Sequence, residues 1–136
     1  MTEYRLVNPH TEQWLSALES GTYRQGKSVL HDLTDDTYCY LGVACAKRRD
    51  SLNLSPDVST MLLNNHPHDV EVFDDTVLLV PKSVVDFTGL KQDGAKYIIQ
   101  LNDSYNLSFL EIAALVRSDP ERFLVPGAYE EVVSTL

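Results

Sequence analysis

Apolar positions along this chain fall into short separate groups, and their spacing changes from group to group. Trp14, Leu15 and Leu18 recur at i, i+1 and i+4, one face of a helix. Asn8 offers an N-cap, Pro9 suits the first helical position and Gly21 is a C-terminal cap. A first helix is predicted over about 9–20. Tyr23 to Lys27 is a polar connection. Ser28–Leu33 and Thr37–Tyr40 are β-prone runs around Thr34-Asp35-Asp36, which predicts a β-hairpin with an acidic turn. Leu41–Arg48 is small and apolar and runs into Lys47, Arg48 and Arg49. Cations in a last turn complement the helix dipole, so a second helix is predicted there.

The middle of the chain has a weaker pattern. Ser55-Pro56-Asp57 opens a predicted short helix over 56–64, with Val58, Met61 and Leu62 on one side. Residues 64–69, Asn-Asn-His-Pro-His-Asp, have the composition of a loop. Val70–Phe73 and Thr76–Val80 are expected as strands around Asp74-Asp75. Pro81 starts a short helix with Val84, Val85 and Phe87 inward and Gly89 at its end. Gln92-Asp93-Gly94 is expected as a turn and Tyr97–Leu101 as a strand.

The C-terminal third carries the sharpest helix signal. Ser108 followed by Glu111 forms a capping box, and Phe109, Ile112, Ala113, Leu115 and Val116 make one apolar face. Pro120 marks its end. The tail still holds Phe123, Leu124, Val125, Tyr129, Val132 and Val133. It is expected to associate with a second copy, forming a homodimer, unless it folds back over the sheet. The element order gives an α+β fold: one small domain over 1–136 with an N-terminal helix, a β-hairpin, short strands and a C-terminal amphipathic helix.

Length and composition add mainly exclusions. The 136 residues are 43% hydrophobic, enough for a core without disulfide or metal. The net charge of −9 argues against direct nucleic-acid binding and against docking on an anionic membrane. There is no apolar run of signal-peptide or membrane-span type, and Cys39 and Cys45 are too few for a secreted disulfide framework. A cytoplasmic location is expected.

Candidate chemistry is sparse. Cys39 and Cys45 have five residues between them, where structural zinc pairs have roughly two to four, and there is no second pair. His66 and His68 beside Asp69 form a His-x-His pair that lacks an evident third ligand, although His31 or His10 could arrive through the fold. No metal and no cofactor are therefore expected. Cys39 and His31 lie on the two hairpin arms and could meet across it, but nothing marks Cys39 as activated. No catalytic residue is assigned. Tyr23, Arg24 and Lys27, with Lys47, Arg48 and Arg49, are the candidates for ligand binding, since capture of a nucleotide needs cations and an aromatic platform.

One pattern is more specific. Trp14, Leu18, Ser20-Gly21, Tyr23, Gln25 and Gly26 precede Cys39, Leu41-Gly42-Val43 and Cys45. Leu101-Asn102-Asp103, Ser108-Phe109 and Ile112-Ala113 follow. In this order the blocks resemble a family of small bacteriophage and prophage proteins. Cys39-Tyr40 departs from the two adjacent cysteines common in that family. The resemblance implies a phage accessory protein, acting in host cytoplasm. Its expected role is non-enzymatic: binding and blocking or sequestering a host factor, a protein or a nucleotide signal, in counter-defence. The rival readings are a small enzyme centred on Cys39/His31 or His66/His68, and an acidic DNA mimic.

Overall fold

In the computed structural model, residues 3–78 and 80–132 are described. In chain order the first elements are β1 (Glu3–Leu6), α1 (Pro9–Glu19), β2 (His31–Asp32), β3 (Thr37–Tyr38) and α2 (Tyr40–Ser51). A hairpin of β4 (Asp57–Leu63) and β5 (His66–Val72) follows, then α3 (Lys82–Thr88), α4 (Gln92–Asp103) and α5 (Phe109–Ser118). The chain closes with α6 (Pro120–Phe123), a 3-10 turn (Pro126–Ala128) and β6 (Tyr129–Val132). The fold is α+β, as the sequence predicts.

The caps of α1 are the expected ones. The Asn8 side chain accepts the His10 N–H, and Gly21 beyond the end has φ +75°. The inward face of α1 buries Thr11, Trp14, Leu15 and Leu18. The Trp14 indole N–H donates to the Tyr40 carbonyl at 3.0 Å, and the Tyr40 hydroxyl donates to the Ala95 carbonyl at 2.5 Å. These bonds tie α1, α2 and α4 together around one core, with both aromatic polar groups satisfied. Gly42 is required where α2 meets β2. A Cβ there would stand 1.6 Å from the Leu30 carbonyl oxygen.

The larger sheet has strand order β3-β2-β5-β4, all antiparallel, with Asp32 opposite Val70 and His31 opposite Tyr38. The predicted hairpin around Thr34-Asp35-Asp36 is present, shortened to two residues per arm.

Three expectations in the middle of the chain fail. Residues 57–63 form β4 rather than a helix, because Asn64 and Asn65 both take positive φ (51° and 65°) and close a hairpin onto β5. A two-residue turn of this kind matches strand twist, and Asn tolerates it. The expected loop 64–69 is thus a turn followed by strand, with Pro67 opposite Leu62. Residues 76–80 form no strand among those described; Thr76 makes a single bridge to Phe73.

The second group of corrections concerns α4. Gln92-Asp93-Gly94 begins a helix instead of a turn, and Tyr97–Leu101 continues it instead of forming a strand. Ala95, Ile98, Leu101 and Asn102 make its buried face at helical spacing. Gly94 is there for contact: a Cβ would come within 2.8 Å of the Phe123 carbonyl oxygen. Asn102 and Asp103 end this helix. The capping box of α5 is present in both directions.

The tail folds onto its own chain. Phe123, Leu124 and Ala128 are buried, and β6 pairs antiparallel with β1, Arg5 opposite Glu130. Of the tail residues on which the expected dimer rests, Phe123 and Leu124 are buried and Tyr129 is half-buried. Val125 and Val132 are exposed, and Val133 lies outside the described residues. No helix among the described residues is long and apolar enough to cross a membrane.

Candidate functional site

Of the six residues expected to bind ligand, Tyr23 and Lys47 are brought together. Tyr23 packs edge-on against Tyr38 at 5.1 Å, with Lys47 5.7 Å above its ring. Lys27 bonds Asn106, Arg48 pairs with Asp74 at 3.5 Å, and Arg49 is bound by Glu71 and Asp50. Arg24 is exposed, and its carbonyl accepts the Tyr38 N–H.

Arg49 belongs to a buried network that sequence reasoning missed. Glu71 on β5 is 1% exposed and accepts from Arg49 and from His31, whose Nδ1 is 2.7 Å away. His31 Nε2 meets Asp36 at 3.1 Å, and its ring stacks on Tyr38 at 3.8 Å. Burial pushes the Glu71 carboxyl up, but the bonds from His31 and Arg49 outweigh it and hold the group below its ordinary value. Burial, with Asp36 nearby, pushes Tyr38 up to about 12. Glu71 sits in the run Val70–Phe73, expected as a strand, which overlaps β5.

The cysteine and histidine candidates separate. Cys39 caps α2, its sulfur accepting the Gly42 N–H at 3.3 Å. A helix N-terminus ordinarily lowers a thiol, yet burial dominates and pushes Cys39 up to about 11. Burial also raises Cys45. His31 faces Tyr38 and Glu71, not Cys39. His66 is exposed at the start of β5. His68 instead turns toward Asp32 and Asp35, and one ligand atom from each of these three lies within 4.8 Å of the others. Asp32 comes from the first predicted β-prone run and Asp35 from the predicted acidic turn; the β2–β5 register brings both to His68, without His66.

A large concave feature lies elsewhere. A cleft of about 780 Å³ opens between α3 and α4, with the start of α2 as its floor. Leu30, Leu41, Val80, Val85, Leu90, Ala95 and Ile99 make its walls mainly apolar, and Cys39 and Tyr40 contribute to the floor. Lys82, Lys91 and Lys96 line it together with Asp86 and Asp103. These are three of the five lysines in a chain of net charge −9. Lys91 is held by the Glu121 carbonyl at 2.6 Å, while Lys82 and Lys96 are exposed.

A family model described as a domain of unknown function (DUF8296) matches residues 8–120. The chain belongs to this family. The DUF8296 region runs from the N-cap of α1 through α5, and of the cleft lining only Val125 falls outside it. The curated proteins and the solved structures hold no significant match to the chain. Sequence reasoning did not find the cleft, because its apolar lining comes from residues that look like ordinary core positions of five separate segments.

Proposed function

We propose that this DUF8296 protein is a non-catalytic binding protein that captures a small anionic molecule with an apolar body in the cleft between α3 and α4. The observation that carries the reading is the cleft itself. Its volume of about 780 Å³ lies within the range of small-molecule sites, roughly 300–1,000 Å³. Its lysines give a local excess of positive charge on an acidic protein, which favours an anion there and repels one elsewhere.

The reading is non-catalytic because the reactive groups are otherwise engaged. The Cys39 thiol is protonated at neutral pH, and His31 is committed to Glu71. A nucleotide signal fits less well than an aliphatic anion. Tyr40 is the one aromatic among the described lining residues, and its hydroxyl is bound to Ala95. In the phage setting that the sequence resemblance implies, the captured molecule is a host product and capture is sequestration.

Calorimetric titration with decanoate, and with decyltrimethylammonium as the cation of equal chain length, tests the reading. Saturable binding of one decanoate, at least tenfold weaker for the cation and for the Lys82→Glu/Lys96→Glu variant, is expected. Absence of decanoate binding, or equal affinity for both head groups, would overturn it.

A further inference from the structure

The strand register assembles a second group of side chains, none of which lines the cleft. Asp32 on β2 faces Val70 on β5, and His68, two residues before Val70, shares that face. His31 points to the opposite face, toward Glu71. We propose that Asp32, Asp35 and His68 form a binding site for a divalent transition cation such as zinc.

Asp32 is 5% exposed, and among the described residues no lysine or arginine pairs with it; His68 is its partner. Buried charges in proteins are paired or coordinate metals. The Asp32 carboxylate is already aimed. Its Oδ1 accepts the Thr34 and Asp35 N–H groups at 3.0 and 3.3 Å, which leaves Oδ2 directed at His68 Nδ1, 2.9 Å away. Asp35 Oδ2 stands 3.8 Å from the same nitrogen.

Ligand atoms about 2.1 Å from a cation stand roughly 3.0 Å apart in octahedral and roughly 3.4 Å apart in tetrahedral geometry. The two observed separations bracket these values. Asp35 is on an exposed turn, so rotation of its side chain closes the difference. An imidazole with two carboxylates selects zinc-type ions over magnesium or calcium, which prefer oxygen alone. Water completes the coordination on the Asp35 side, and the fold does not depend on the ion.

The test is a calorimetric titration of chelator-stripped protein with zinc chloride, alongside magnesium chloride. One saturable zinc site is expected, with no comparable magnesium binding. Asp35→Asn changes an exposed side chain and should weaken zinc at least tenfold with an unchanged melting temperature. His68→Gln should abolish the site, and His66→Gln should leave it intact. Absence of saturable zinc binding overturns the proposal, as does wild-type affinity in Asp35→Asn or loss of the site in His66→Gln.

Discussion

Gln25 and Asn102, 77 residues apart in the chain, are joined by a hydrogen bond of 2.9 Å from the Gln25 amide to the Asn102 side-chain oxygen. Gln25 also donates to the Leu107 carbonyl and accepts the Phe109 N–H, while Asn102 donates to the Gly26 carbonyl. One polar pair thus fastens the connection after α1 to both ends of the α4–α5 loop. Asn102→Ala leaves half-buried partners unsatisfied and should cost on the order of 1–3 kcal/mol. A double-mutant cycle with Gln25→Ala, measured by urea unfolding, should show strong coupling; additive losses would contradict the pairing.

Glu71 makes stability depend on acid. Its folded-state pKa is below the ordinary 4.5, so its contribution is full above that value and is lost as pH falls through the folded pKa. Glu71→Gln should therefore cost about 3 kcal/mol near neutral pH, the scale of breaking a buried pair. The gap from wild type should narrow below pH 4.5. Urea midpoints measured across that range check both the size and the direction.

Burial governs the thiols. A Cys39 pKa of about 11, against an ordinary 9.0, lowers the thiolate fraction about a hundredfold at neutral pH. Iodoacetamide labelling of Cys39, followed by peptide mass spectrometry, should be at least tenfold slower in the folded protein than in urea. Equal rates would show an open, ionisable thiol.

Gly42→Ala should be among the most damaging small substitutions. The added Cβ would meet the Leu30 carbonyl oxygen at 1.6 Å, a backbone atom that accepts the Cys39 N–H. A loss of about 3 kcal/mol or more is expected, at the upper end of overpacking costs. A thermal melt unchanged from wild type would mean that α2 sits farther from β2.

Elements with local signals were legible in the sequence: α1 through Asn8-Pro9 and Gly21, α5 through Ser108 and Glu111, and α3 through Pro81 and Gly89. Where local and tertiary cues conflict, reading failed. Gly94 resembles a turn residue, yet it is selected by contact with the Phe123 backbone inside α4. Asn64-Asn65 is a hairpin signal that can be read only once both residues are allowed positive φ. The six cations and aromatics expected as a ligand site lie near one another in sequence pattern, but carboxylates on distant segments engage Arg48 and Arg49. The cleft and the Asp32–Asp35–His68 group arise from register and helix packing, which no short window encodes.

The cleft reading is tested most directly by ¹H–¹⁵N correlation spectra recorded during titration with decanoate. Shifts concentrated at Cys39, Val85, Ala95, Lys96 and Ile99, saturating with one ligand per chain and absent in the Lys82→Glu/Lys96→Glu variant, are the predicted result. Unchanged spectra, or shifts centred on the β4–β5 hairpin, would contradict it.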